Sequence, residues 1–258
     1  MSALLAAAFL FLKTGEKFAT QATAGPTVAA FTSYVSEKTG GEKMEPQVMN
    51  NPKKALEFVT AKKPVLGIVM PAFFIAYEKM FGMEALLETH RQGVTEERYV
   101  VVVKKGAPDD LHGKVIATTL AEEEVYVTGV VLAGKCGEEV RLKPVEDCEG
   151  AVFDVAEGAK NASDAVLMEE GAWKVFEKDE DLGPKLKVAY RSEELPRNLV
   201  VLFRPNAGSV DVEKVKAALK GMSGSEDGKK VLGSIRVESF ADVNQEQLSK
   251  ASRLFHGK

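Results

Sequence analysis

The chain has 258 residues, of which 45% are hydrophobic and 28% are charged. This composition is typical of a globular protein long enough for two modest lobes, and it excludes disordered and fibrous classes. The 34 basic and 38 acidic residues are mixed along the chain and give a net charge of -4. Because this mixing leaves no stretch of mainly basic residues that could follow a phosphate backbone, we expect no nucleic acid partner.

Metal and cofactor chemistry has few candidate residues in this sequence. Cys136 and Cys148 do not have metal-ligand spacing, and His90, His112 and His256 lie far apart. We therefore expect neither a metal nor another cofactor. A disulfide between the two cysteines stays open, because two independent thiols explain the sequence equally well.

The first predicted element is an apolar run at residues 4–12, of signal-peptide length but too short to span a bilayer. No Lys or Arg precedes it, and Lys13, Glu16 and Lys17 follow it in place of a small-residue cleavage site. We interpret the run as a buried first strand and expect any natural export signal to be absent from this chain.

Apolar runs bounded by turn residues then alternate with amphipathic stretches, which predicts repeated β-α units around mostly parallel sheets. In the first third of the chain, Asn51 and Pro52 form an N-cap and first-turn signature. The predicted strands there are 4–12, 43–49 and 65–69, and the predicted helices are 26–38, 53–61 and 73–80.

The middle of the chain repeats this pattern between two turn-rich links. The strand at 98–103 breaks off into the link 104–111, and the polar segment 191–196 precedes a strand at 198–203 that breaks off at 204–208. We interpret these as two hinge crossings between lobes, with lobe 1 formed by 1–97 and 204–258 and lobe 2 by 98–203. The predicted strands of lobe 2 are 115–118, 139–142 and 164–168, and its predicted helices are 121–133 and 147–157. We expect three further helices to cover lobe 1, at 211–219, 226–232 and 245–254.

Five sequence pieces carry a family resemblance. They are the helix end FTSYVSEKTG at 31–40, Pro71 after its strand, DLHGKVIA at 110–117, Gly158 ahead of SDAVL at 163–167, and YRSEELP at 190–196. In this order and spacing they resemble the phosphate/phosphonate-type periplasmic substrate-binding proteins of ABC transporters. The resemblance implies an α/β, two-lobed type II periplasmic binding protein fold that closes around a ligand in a central cleft, and a periplasmic or extracytoplasmic location.

One stretch departs from the family pattern. After the strand matching 115–117, the family usually places a turn rich in serine and glycine, whose hydroxyl and N–H groups bind the phosphonate oxygens. Here Thr118 and Thr119 are followed by Glu122, Glu123 and Glu124. Each close carboxylate would repel a dianion by on the order of 1 kcal/mol in high dielectric. We therefore expect a ligand that is not a typical phosphonate.

Candidate ligand-binding residues follow from the position of strand-to-helix junctions, since the carboxyl ends of strands line the ligand crevice in open α/β sheets. Alternatives stay open for several of them, because glutamates in a first helical turn offset the helix dipole and threonines there cap the helix. Phe73, Phe74 and Trp173 are better explained by core packing. The predicted ligand-binding residues are Thr14, Met70, Pro71, Ala72, Thr118, Thr119, Glu122 and Glu169.

These observations favour a solute-binding protein over an enzyme. The sequence contains no nucleophile elbow, Walker phosphate loop, dinucleotide fingerprint or zinc-protease motif, and we predict no catalytic residue. The expected partners are a small-molecule ligand and an ABC transporter permease or a membrane sensor, with the chain a monomer. Two alternatives stay open, which are an enzyme on the same scaffold and a family member that has lost its ligand and acts through protein contacts.

Overall fold

The computed structural model describes residues 7–14, 19–41, 43–133, 139–208 and 210–257. In these ranges a 3-10 turn, Ala121–Glu123, precedes the short helix Glu124–Tyr126, and a π-helical turn, Val127–Val131, follows that helix. The strands β1 to β11 are Ala7–Leu12, Met44–Met49, Leu66–Val69, Met83–Arg91, Tyr99–Lys104, Val115–Thr118, Arg141–Pro144, Ala165–Glu169, Leu186–Arg191, Leu199–Phe203 and Val237–Ala241. The helices α1 to α9 are Gln21–Thr39, Pro52–Lys62, Pro71–Phe81, Glu124–Tyr126, Cys148–Glu157, Glu170–Phe176, Val212–Gly221, Glu226–Ser234 and Gln245–Phe255.

The chain divides into two compact units. Unit 1 comprises Met1–Thr95 and Arg197–Gln245, and unit 2 comprises Glu96–Pro196 and Glu246–Lys258. These bounds differ from the predicted lobes in three places, at 96–97, 197–203 and 246–258. Strand β10 belongs to unit 1 because it pairs with β3 and β4, and α9 belongs to unit 2, where Leu254 packs against Gly129. The chain therefore passes between the units three times, and not twice as predicted.

Unit 1 is built on a six-stranded sheet in the order β11-β4-β10-β3-β1-β2. Strand β1 runs parallel to β2 and β3, whereas β10 is antiparallel to both of its neighbours and β11 is antiparallel to β4. Helices α1, α7 and α8 pack on one face, where Phe9, Phe31, Leu219 and Leu232 belong to a common core. Helix α1 begins earlier than predicted because Thr20 and Thr23 form a capping box.

Unit 2 is built on a five-stranded sheet in the order β7-β6-β8-β5-β9. Strand β6 runs parallel to β7 and β8, and β5 is antiparallel to β8 and β9. Its core includes Val100, Val152, Val166 and Trp173, which is only 3% exposed, as the sequence predicted for that side chain. The expected α/β class of two sheet-and-helix lobes is confirmed, with sheets that are mixed and not mostly parallel.

The structure also contains elements that the sequence did not predict. Strands β4, β9 and β11 were missed, and the helix predicted at 121–133 is instead a succession of 3-10, α and π turns. Strand β4 begins with Met83, Glu84, Ala85 and Leu86, residue types that favour helices, so its pairing with β10 and β11 overrides local propensity. The predicted first strand is present at Ala7–Leu12, and its residues 4–6 lie outside the described ranges.

A buried ion pair in unit 1 lies where the chain leaves that unit. Glu88 and Arg197 are each 7% exposed, and Arg197 Nε lies 3.6 Å from Glu88 Oε1. Arg197 Nη2 donates to the carbonyl of Thr95 at 2.6 Å, and Glu88 Oε2 accepts from the backbone N–H of Asn244 at 2.8 Å. The pair thereby connects all three points at which the chain passes between unit 1 and unit 2, next to Thr95, Arg197 and Asn244.

Removing one partner of this pair should destabilise the protein strongly. We expect Arg197→Met to lower the free energy of unfolding by about 3–5 kcal/mol, because it leaves the Glu88 carboxylate buried without its cation. Urea denaturation at pH 7 measures this loss. The matched control is Arg204→Met, which removes an ion pair with Glu84 whose side chains are 54% and 43% exposed; it should cost at most about 1 kcal/mol. Equal losses in the two variants would contradict a structural role for the buried pair.

Candidate functional site

Each unit brings the carboxyl ends of three parallel strands to one edge of its sheet. In unit 1 these strands are β2, β1 and β3, and in unit 2 they are β7, β6 and β8. Thr14 and Met70 follow β1 and β3, while Thr118 and Glu169 are the last residues of β6 and β8. The sequence-predicted residues therefore lie at the sheet edges where ligands bind in open α/β folds.

The four predicted residues of unit 1 come together but expose little surface. The backbone N–H of Thr14 donates to Met70 Sδ at 3.0 Å, and Thr14 is only 5% exposed. Met70 is the N-cap of α3, which Pro71 opens in the position where a missing N–H costs nothing. Pro71 and Ala72 are also buried. These residues pack the start of α3 against the end of β1.

A pocket of about 420 Å³ lies in unit 1 beside this edge. None of the four predicted residues of unit 1 lines it, but Lys13, the neighbour of Thr14, does. Arg91 and Arg236 also line it, together with Thr23 from the first turn of α1 and Asn198. The sequence did not single out the two arginines because they belong to β4 and to the residue before β11, two strands that were not predicted. We call this feature the unit 1 pocket.

The two predicted threonines of unit 2 have different surroundings. Thr118 is fully buried, and its Oγ1 accepts a hydrogen bond from the N–H of Leu120 at 3.2 Å. Its hydroxyl thus caps the turn that follows β6, one of the two roles that the sequence left open. Thr119 is half-buried and lies against Cys148. Thr119 is therefore the threonine with a hydroxyl nearer the surface of this edge.

Cys148 lies at the unit 2 edge between Thr119 and the carbonyl of Leu167, although the sequence assigned it no site role. It opens α5, whose N-cap Asp147 accepts from the N–H of Gly150, and its thiol donates to the carbonyl of Leu167 at 3.6 Å. Burial raises the pKa of Cys148 to about 11, against opposing hydrogen bonds from Thr119 and with a smaller contribution from the charges of Asp147 and Glu169. Thr119, Cys148 and Glu169 thus form one cluster.

The three consecutive glutamates after β6 are not equivalent. Glu122 and Glu124 are exposed, whereas Glu123 is buried in the 3-10 turn. Burial raises the pKa of Tyr126, and the nearby negative charge of Glu123 raises it further. The predicted residue Glu122 therefore lies on the surface of the turn, and the buried glutamate is Glu123.

Within the described residues, no group of three or more His, Cys, Asp or Glu side chains is arranged to hold a metal ion. Cys136 lies outside the described ranges, so the alternative of a disulfide with Cys148 is not resolved by the structure. The unit 2 edge carries hydroxyl, thiol and carboxylate groups. The unit 1 pocket is lined by cationic and amide groups.

Several solved structures share the fold of this chain. A protein from Xanthomonas citri bound to chloride aligns with a TM-score of 0.74 and 11% identity over 97% of this chain and 98% of its own. A protein from Prochlorococcus marinus in complex with methylphosphonate has a TM-score of 0.66 and 12% identity over 97% of both chains. A binding protein component of an ABC phosphonate transporter from Pseudomonas aeruginosa has a TM-score of 0.64 and 14% identity over 97% and 86%. The fold is that of type II periplasmic binding proteins.

The family model for the periplasmic phosphonate substrate-binding protein of ABC transporters matches residues 19–248. The chain belongs to this family, as the sequence resemblance predicted. No curated protein sequence matches the chain.

Family membership confirms the coarser functional expectations. The family consists of substrate-binding proteins for transport and not of enzymes, and it implies a small-molecule ligand, a permease partner and an extracytoplasmic location. Among the described helices, none is both long and apolar enough to cross a bilayer.

The shifted pKa of Cys148 predicts an unreactive thiol at neutral pH. In a Cys136→Ser variant, where Cys148 is the remaining cysteine, iodoacetamide should alkylate the native protein roughly a hundredfold more slowly at pH 8 than the urea-unfolded protein, because the thiolate is the nucleophile. Steric protection alone would also slow alkylation. The pH dependence of the rate distinguishes steric protection from a raised thiol pKa. The native rate should still be rising above pH 10, and a midpoint near pH 9, as for the unfolded chain, would contradict burial of this thiol.

Proposed function

We propose that this protein captures a small solute for an ABC transporter or a membrane sensor and performs no chemistry on it. The observation that carries the proposal is the family match over residues 19–248, on a chain whose two units each present three aligned strand ends. Strand ends of this kind supply backbone and side-chain groups that bind a ligand without a reactive centre. We further propose that the protein acts as a monomer outside the cytoplasm.

The solute is not a typical phosphonate. Two features of the unit 2 edge support this part of the proposal. The Thr118 hydroxyl is already engaged by the N–H of Leu120, and no glycine or serine stands in the turn 119–124. Carboxylates of Glu123 and Glu169 lie in or beside this turn instead, so a dianion would meet like charge close to its expected binding position.

Ligand-induced stabilisation tests the proposal. Purified protein should be screened by thermal shift against phosphate, methylphosphonate, amino acids, polyamines, thiamine-like cations and organic anions. A solute bound by the native state alone should stabilise it by about 2.7 kcal/mol at a concentration of 100 times its Kd. For a protein of this size that corresponds to a rise in Tm of roughly 5–10 °C. Methylphosphonate and phosphate should leave the Tm unchanged.

A matched pair of variants tests whether a compound that raises the Tm binds at the unit 2 edge. Thr119→Val removes a hydroxyl at nearly constant volume and should weaken the hit, whereas Thr60→Val, on the exposed surface of α2, should leave its affinity unchanged. A Tm that no compound raises would overturn the proposal of solute capture. A rise with methylphosphonate would overturn the proposal about the ligand and leave solute capture standing.

A further inference from the structure

The unit 1 pocket has an apolar floor that reaches the core of the unit. Phe11 of β1 lies beside Ile68 of β3 in the parallel register of these strands, and Val28 of α1 lines the pocket with them. Val28 and Ile68 are core residues, only 1% and 2% exposed, and Phe11 packs against the same core. The volume of about 420 Å³ is large enough for the apolar part of a small organic ligand.

Three cationic side chains line the pocket, and they differ in what they already contact. Lys13 and Arg91 each have an interaction partner within the protein. Arg236 is exposed, and no acidic side chain pairs with it among the residues that the structure describes. None of the described residues that line the pocket is acidic. Arg236 is therefore the cation of this pocket with which a ligand can pair.

The backbone of Arg236 has a conformation that is costly for an arginine. The residue connects α8 with β11 and has a φ of 56°, in the left-handed region that favours glycine. Its N–H donates to the carbonyl of Gly233 at 3.2 Å, and its carbonyl accepts from the N–H of Gln92 at 3.3 Å. Strain of this kind is concentrated at functional sites, where a side chain is needed at a position that the backbone disfavours. The conformation thus independently supports a functional role of this side chain.

Arg236 and the apolar floor lie apart across the sheet. Strands β11 and β3 are separated by β4 and β10, so three strand spacings or roughly 14 Å lie between their backbones. The arginine side chain extends over part of this distance. Asn198 and Thr27 add neutral polar groups to the lining. A ligand with one anionic head and an apolar chain matches this distribution of charge and apolar surface.

We propose that the unit 1 pocket binds an organic monocarboxylate with an extended apolar chain. Arg236 pairs with the carboxylate, for which its planar guanidinium is suited, and the apolar chain lies over Phe11 and Ile68. The inference rests on the proposed solute-binding function and names the ligand class. Because the single charge of such a ligand is neutralised in unit 1, the ligand needs no cation from the unit 2 edge, which carries the carboxylate of Glu169.

Calorimetric titration at low ionic strength with acetate, butanoate, hexanoate and octanoate tests the ligand class. The affinity should rise roughly fourfold for each methylene group that enters the pocket, because each one leaves water for apolar surroundings. Hexanamide, which has nearly the same shape but no charge, should bind about tenfold more weakly than hexanoate. In NMR spectra, hexanoate should shift the methyl signals of Val28 and Ile68 and the Nε–H signal of Arg236.

Two glycine substitutions separate the ligand contact from the backbone strain. Arg236→Gly and Lys63→Gly each remove an exposed cation from a left-handed position in unit 1, and Lys63, with a φ of 50°, does not line the pocket. Both variants should have a Tm roughly 2 °C above that of the parent protein, because glycine adopts this conformation without strain. Only Arg236→Gly should lose affinity for hexanoate, about tenfold, to the level of hexanamide. Arg236→Gln, which keeps the strain, should lose the same affinity at an unchanged Tm.

The outcomes distinguish this inference from the proposed function. If a solute from the thermal-shift panel binds but no monocarboxylate does, the inference is overturned and solute capture stands. The same holds if hexanoate binds the two Arg236 variants as tightly as the parent protein, or if hexanamide binds as tightly as hexanoate. Tighter binding of hexanesulfonate than of hexanoate would contradict the carboxylate head group. If no solute of any class binds, both proposals are overturned.

Discussion

The buried pair of Glu88 and Arg197 is the interaction on which the organisation of unit 1 depends. An unpaired charge at this depth costs several kcal/mol, so the two strand regions that carry the pair must be in register before either charge can be buried. Arg197 also donates to the carbonyl of Thr95, and Glu88 accepts from the N–H of Asn244, so the same pair fixes the three points at which the chain enters or leaves the unit. It also fixes the end of β4, from which Arg91 reaches the unit 1 pocket.

The parts of the fold that could be predicted are those with local signals. Asn51 caps the helix that it was expected to cap, and the short apolar runs predicted at 65–69 and 115–118 form the mostly buried strands β3 and β6, each of which pairs with a parallel neighbour. Strand β4 could not be found in this way, because its residues favour a helix and its partners β10 and β11 lie more than a hundred residues further along the chain. No local signal specifies which sheet a strand such as β10 will join.

The position of the candidate residues was predictable to the same extent, whereas their contact with a ligand stays a prediction. Strand ends identify the edge of a sheet from sequence alone, so all eight predicted residues lie at or close to the two edges. Turn geometry determines which side chain at an edge is buried. The 3-10 turn buries Glu123, and no feature of the sequence distinguishes Glu123 from Glu122 in this respect. The arginines of the unit 1 pocket come together only through the antiparallel pairing of β4 and β11.

The position of Trp173 has an optical consequence. It is the single tryptophan of the chain, and it is buried in the core of unit 2 among Val100, Val152 and Leu186. Indole emission therefore originates wholly in unit 2, from an apolar environment that shifts it to short wavelengths, and unit 1 contributes only tyrosine and phenylalanine signals. Comparing tryptophan fluorescence with far-ultraviolet circular dichroism, which both units contribute to, would show whether the two units unfold together or in separate transitions.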